Sequence, residues 1–230
     1  MATDAVHPRS WLLLPGTLCT GAVFDGFLDA LNVPQHERRV MLLDRPEVGD
    51  YLQDMKEMSD ANTVVCGFSL GAIVAAHLAD QLQARQFLLF GLNPHADDPA
   101  KREGRHALAR DVHERGGASA LASRLPPLAG QDTEHARSLI LSMAETTADA
   151  IDAQTALALS RPGALQPLGR TQVPVTLLTG TEDAQAPLDL ARDVVSTTPQ
   201  VSLLRIPNLG HYALLEDPQA CCRLVEPLLV

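Results

Sequence analysis

Asn62-Thr63-Val64-Val65-Cys66-Gly67-Phe68-Ser69-Leu70-Gly71-Ala72-Ile73-Val74-Ala75-Ala76 is a short apolar run that meets a Gly-x-Ser-x-Gly turn and passes directly into helical spacing. The run before the turn suits a buried strand, and the residues after Ser69 suit a helix. Gly67 and Gly71 leave room for a sharp strand-to-helix turn and for close packing of the helix. Such a turn holds its serine out of the chain at the top of a sheet. The first N–H groups of the helix then face whatever meets the Ser69 hydroxyl.

The same alternation extends in both directions. Apolar strands are predicted over residues 11–14, ended by Pro15-Gly16, and over 39–43, closed by Asp44-Arg45-Pro46. Further strands fall at 63–68, 86–92, 173–179 and 201–206. Between them Val23, Phe24, Phe27, Leu28 and Leu31 recur at helical spacing, as do Val48, Tyr51, Leu52, Met55 and Met58. Helices are also predicted over 70–84, 188–195 and 213–229. Strands that are continuously apolar and alternate with helices imply an α/β fold, a mostly parallel sheet with helices on both faces. Right-handed crossovers place every strand-to-helix turn at one edge of that sheet.

Residues 95–168 break the rhythm. They carry helical patterns and breakers at Gly116-Gly117, Pro126-Pro127, Gly130 and Pro162-Gly163, with no strand pattern. The expectation is a core formed by 1–94 and 169–230, with a small helical cap, 95–168, inserted in it as part of one structural unit. A chain of 230 residues is long enough for one such core.

The formal net charge is −10, which argues against nucleic acid or an anionic membrane as partner. Residues 1–10 carry no basic region and the following apolar segment is short, so neither a signal peptide nor a membrane span is expected. Cys19, Cys66, Cys221 and Cys222 lack C-x-x-C spacing and read as reduced thiols of a cytoplasmic protein. His95, His106 and His113 match no metal-ligand spacing, so no metal site is expected.

A serine hydroxyl needs a nearby imidazole to take its proton and a carboxylate to orient that imidazole. Asp183 follows the 173–179 strand within Gly180-Thr181-Glu182-Asp183, and His211 follows the last strand within Asn208-Leu209-Gly210-His211. Glu182, Asp97 and Asp98 are alternative acids after strands. The order Ser69, Asp183, His211 is the chain order of the nucleophile-elbow enzymes.

With these motifs, the chain resembles the α/β-hydrolase superfamily over nearly its whole length. The segment Gln154-Thr155-Ala156-Leu157-Ala158-Leu159-Ser160-Arg161-Pro162 is similar to small bacterial carboxylesterases and enol-lactonase-like hydrolases. The resemblance implies an oxyanion hole built from a backbone N–H of Thr17 or Leu18, after Pro15-Gly16, and the N–H of Leu70. Its implied activity is hydrolysis of a carboxylic ester or lactone by a Ser-His-Asp triad through an acyl-enzyme, with no cofactor. Thioesterase, C–C hydrolase and biosynthetic cyclase or isomerase chemistry use the same triad, and a non-catalytic ligand-binding protein is a further alternative.

The low aromatic content, 3%, points to a pocket lined by aliphatic cap residues, namely Leu121, Leu125, Leu128, Leu139 and Met143, with Phe68 and Tyr212 near the mouth. Lys101, Arg102, Arg105, Arg110 and Arg115 make the cap locally basic, as a solvated helix face or as a recognition surface for a carboxylate-bearing substrate or acyl-carrier partner. The expected partner is a small-molecule ester or lactone, and the expected assembly a monomer or homodimer.

Overall fold

The computed structural model of the protein describes residues 10–229. The expectation of no leader rests mainly on residues 1–9, outside the described residues. Among the described residues no helix is long and apolar enough to cross a membrane.

Six strands form one sheet: β1 (Ser10–Leu14), β2 (Arg38–Val40), β3 (Thr63–Phe68), β4 (Gln86–Phe90), β5 (Val175–Gly180) and β6 (Val201–Ile206). All neighbours pair in parallel, in the order β2-β1-β3-β4-β5-β6. β1, β3, β4 and β5 are buried along their whole length, as central strands covered on both faces must be.

Because successive side chains point to opposite faces, each face has its own core. Trp11, Leu13, Val64, Cys66, Phe68, Leu88 and Phe90 point to one face, where they meet Phe24 and Phe27 beside and within α1 (Asp25–Ala30) and Cys221 and Val225 of α11 (Pro218–Val225). Phe27 sits edge-on to Trp11 at 6.2 Å and to Phe90 at 5.4 Å, so one ring bridges β1 and β4, the two strands on either side of β3. Leu12, Leu14, Val65, Phe87, Leu89 and Leu177 point to the other face. They meet α2 (Leu52–Met58), α3 (Leu70–Leu78), α8 (Leu165–Arg170) and α9 (Leu188–Thr197).

Between β4 and β5 the chain forms α4 (Arg102–Arg115), α5 (Gly117–Ala122), α6 (Thr133–Thr146), α7 (Ile151–Ser160) and then α8. Val112, Leu121, Ile140 and Met143 place α4 to α6 on the Trp11 face. Leu157 and Ala158 of α7 join the opposite core. A Cβ on Gly117 would overlap the Ala144 carbonyl oxygen, which is how closely α5 crosses α6.

Several boundaries differ from the sequence expectation, each for a local reason. β2 is an edge strand with one neighbour, and beyond Met41, whose N–H still bonds Leu13 O at 2.9 Å, Leu42 turns to solvent. β4 ends at Phe90 because Gly91, at φ +60°, carries the chain out of the ladder. β5 begins after Pro174, which has no N–H for the ladder. α3 ends at Leu78 rather than residue 84, where the Thr171 hydroxyl donates to Ala79 O at 2.9 Å.

The single predicted C-terminal helix is three pieces: α10 (Ala213–Glu216), α11, and a 3-10 turn over Glu226–Leu228. Pro218 causes the first break, since it disfavours a helical residue before it, and Asp217 lies at φ −152°. Asp217 then caps α11 by accepting the Ala220 N–H at 2.8 Å.

Candidate active site

Ser69 joins β3 to α3 at φ 51°, ψ −114°, a conformation that costs a non-glycine residue about 1–3 kcal/mol. Its N–H donates to Phe90 O at 2.9 Å, tying the turn to the end of β4. Its flanking glycines are required by contact: a Cβ on Gly67 would lie 2.7 Å from Ala72 N, and one on Gly71 would overlap Leu14 O. The opening stretch therefore builds a strained turn that carries a half-buried Ser69, on two glycines whose places a larger side chain could not take without moving the backbone.

The loops after β5 and β6 bring two more groups to this turn. His211 Nε2 lies 3.0 Å from Ser69 Oγ, and His211 Nδ1 lies 2.8 Å from Asp183 Oδ2. Asp183 Oδ1 accepts the Gln185 and Ala186 N–H groups at 2.8 and 2.9 Å, so both carboxylate oxygens are occupied. Burial pushes the Asp183 carboxyl up, but the hydrogen bond and charge of His211, helped by the two amides, hold it below the ordinary aspartate value. An ionised carboxylate only accepts. The Nδ1 proton therefore faces Asp183, and Nε2 is left to accept the Ser69 hydroxyl proton.

The alternative acids lie elsewhere. Glu182 is beside Thr181, Asp98 caps the turn at Ala100, and Asp97 pairs with Arg105 and Arg161. Cys19 follows the loop after β1, but burial pushes its thiol up to about 12, too high to act as a nucleophile near neutral pH.

In that loop the two expected amide donors differ. Leu18, at φ 54°, donates its N–H to Gln154 Oε1 at 2.9 Å and is thereby committed. Among the described residues neither the Thr17 nor the Leu70 N–H has a protein acceptor. Of Thr17 and Leu18, Thr17 alone is left to serve as a donor.

A cavity of about 530 Å³ opens over Ser69 and His211, within the size range of small-molecule sites. Of the residues expected in the pocket, Phe68, Leu121, Leu125 and Tyr212 line it, and Thr17, Leu18 and Leu70 of the expected oxyanion hole line it too. Leu128, Leu139 and Met143 do not. Met143 is 2% exposed and Leu139, one turn before it on α6, packs against the same core, because the close α5–α6 crossing turns this side of α6 inward; Leu128, in the segment before α6, packs against that core as well. Lys101, Arg105, Arg124 and Arg161 also line the cavity, whereas Arg102 does not. Arg110 pairs with Glu103, and Arg115 with Asp111. Among the described residues no group of three or more His, Cys, Asp or Glu is placed to hold a metal ion, and His113 faces Asp152 at 2.9 Å.

Three residues that shape the site have roles that the sequence motifs do not assign. A Cβ on Gly91 would come within 2.9 Å of His211 Cε1 and 3.1 Å of Nδ1, so that glycine makes the room in which the imidazole lies. Glu216 is buried and accepts the Gly210 N–H through Oε2 at 2.5 Å, holding the loop just before His211. Gln154, 2% exposed, also donates through Nε2 to Leu43 O at 3.0 Å, clasping two loops at once. One signal was available: Ile151, Gln154 and Ala158 share a helical stripe whose other members are apolar, and a polar residue there must find buried partners.

A model of the alpha/beta hydrolase family matches residues 6–224. No curated protein sequence matches the chain. Among solved structures, an esterase from Thermogutta terrifontis with malate bound is 20% identical at a TM-score of 0.78, covering 96% of this chain and 89% of that one. The carboxylesterase CesB (YbfK) of Bacillus subtilis is 17% identical at 0.72, covering 96% and 83%. MenH of S. aureus is 16% identical at 0.74, covering 97% and 94%. At such identities these likenesses speak for the fold, whereas the family match spans almost the entire sequence. The chain belongs to the alpha/beta hydrolase family.

Proposed function

We propose that the protein is a serine hydrolase that cleaves a carboxylic ester or lactone through an acyl-enzyme. The observation that carries this reading is the continuous hydrogen-bonded line from Ser69 Oγ through His211 to Asp183, at 3.0 and 2.8 Å, at the wall of the cavity. Ser69 attacks the carbonyl carbon while His211 Nε2 takes its proton, and Asp183 stabilises the imidazolium that forms. The Thr17 and Leu70 amides receive the developing oxyanion, each contributing about 3–4 kcal/mol to the barrier. His211 then protonates the departing alkoxide, and afterwards activates the water that releases the acid.

In this reading α4 and α5, within the inserted segment 95–168, act as a cap over the reacting groups, since Leu108 and Leu121 line the same cavity. The substrate is a small molecule that needs no cofactor. All four cysteines are buried thiols outside disulfides, which suits a cytoplasmic setting. The test is hydrolysis of p-nitrophenyl esters by wild type and Ser69→Ala. Turnover by the wild type with loss of at least about a thousandfold in the variant supports the assignment; a fully active variant rejects it.

A further inference from the structure

We propose that the cavity selects an ester or lactone bearing a carboxylate, which Lys101 and Arg105 engage while Ser69 attacks the carbonyl. This rests on the serine-hydrolase reading and names its substrate class.

The charge distribution carries the inference. The chain has a formal net charge of −10, yet among the described residues the cavity wall includes Lys101, Arg105, Arg124 and Arg161 and no Asp or Glu. An acidic protein has thus concentrated cations on the one concave surface that opens over Ser69. A low-dielectric wall of one charge sign focuses its field on an oppositely charged ligand.

The nearby carboxylates do not neutralise this wall. Asp97, behind it, accepts Arg105 Nε at 2.8 Å and Nη2 at 2.5 Å, and pairs with Arg161 Nη2 at 3.0 Å, so a single carboxylate serves two guanidinium groups. Arg161, with its side chain 2% exposed, spends its other donors on His95 O at 3.1 Å and Ala158 O at 2.8 Å. Its role is to fix Asp97 and, through it, Arg105. Arg124 is held by Asp111 and by Ala120 O. That leaves Arg105 Nη1 and the Lys101 ammonium without a protein acceptor among the described residues.

A role confined to bracing the inserted helices explains Asp97 and Arg161. It does not explain the surplus donors on Arg105 and Lys101. Asp97 orients the Arg105 fork, and an oriented guanidinium suits a planar carboxylate. Leu108, Leu121 and Leu125 supply an apolar stretch of wall for the carbons between carboxylate and ester.

The test compares mono-p-nitrophenyl glutarate with its neutral methyl ester, which has the same leaving group and chain. Wild type should favour the anion by about tenfold to a hundredfold in kcat/KM, mainly through KM, and the preference should shrink with added salt. Arg105→Gln and Lys101→Gln should each reduce that ratio, and the double variant should bring it near one. Lys101 is exposed and, among the described residues, in no ion pair, so its variant keeps the test sound even if Arg105→Gln disturbs folding. Arg110→Gln should keep the wild-type ratio, since Arg110 pairs with Glu103 and does not line the cavity.

Titrating both compounds into Ser69→Ala by calorimetry reads the charge preference without turnover. Hydrolysis of both esters with no anion preference, or a preference unmoved in both cavity variants, overturns this inference and leaves the hydrolase reading standing. Preferential binding of the anion with no hydrolysis by wild type overturns the hydrolase reading instead. Absence of both binding and turnover overturns the inference.

Discussion

Replacing Gln154 by Met removes both hydrogen bonds of the clasp while keeping most of the side-chain volume. The lost bonds are the Leu18 N–H to Oε1, at 2.9 Å, and Nε2 to Leu43 O, at 3.0 Å. Each leaves a buried polar group unpaired, at about 1–3 kcal/mol apiece. Partial relaxation brings the expected loss to about 2–4 kcal/mol, a fall in Tm of roughly 4–16 °C for a domain of this size. Activity should fall as well. Leu18 is held at φ 54°, a left-handed conformation that persists only while its surroundings enforce it. Once released, the loop no longer aims the adjoining Thr17 amide, and part of the hundredfold to thousandfold effect of one oxyanion donor is forfeited. The variant should therefore lose about tenfold to a hundredfold in kcat, with KM for a small ester nearly unchanged, when assayed well below its Tm. A Q154M protein with wild-type kcat and a Tm within about 2 °C would refute the clasp.

Gly91→Ala adds a methyl group against His211 Cε1 and Nδ1 at a position with φ +60°. It should lower kcat by about a hundredfold through displacement of the imidazole, with a stability loss near 1–2 kcal/mol, read by kinetics and thermal melts. The Asp183 carboxyl is held below its ordinary value, so its ionised form stabilises the fold above the unfolded pKa near about 3.9, and that contribution fades as pH falls through the lower folded value. The Tm gap between wild type and Asp183→Asn should narrow as pH falls below about 4. Glu216 shifts the other way: burial raises its carboxyl despite the Gly210 amide, so the native state loses stability as pH rises from about 4.3 through the folded value. Glu216→Gln keeps an acceptor for Gly210 without the buried charge, and its Tm relative to wild type should climb across that window.

How much of this was legible in the sequence depended on whether a residue acts through its type or through its neighbours. Ser69, Asp183 and His211 announce themselves because each is a reactive side chain at a strand end, and parallel crossovers put those ends at one edge. The strands around them were equally plain, since β1, β3, β4 and β5 are buried on both faces and need continuous apolar runs. Edges and ends were less so. β2 has one neighbour, and the last helix breaks at Pro218 within a pattern whose apolar spacing continues through it. Periodicity registers burial, whereas a break depends on how one proline ring restricts the residue before it.

The cap side of the site was the least legible. Met143 and Leu121 have the same apolar character and helical spacing, but only Leu121 reaches the cavity, because the packing of α5 on α6 decides which of them is covered. Likewise Leu18 and Thr17 cannot be ranked as donors from sequence. The distinction comes from Gln154, far along the chain, taking one of the two amides.

The central claim is that Ser69 is acylated during turnover. Rapid quenching of wild type mixed with p-nitrophenyl acetate, followed by peptide mass spectrometry, tests it most directly. One acetyl group per chain is expected, on the peptide that contains Ser69, accumulating during a burst and absent from Ser69→Ala. Steady hydrolysis with no acetylated Ser69 at any quench time, or acetylation confined to another residue, contradicts it.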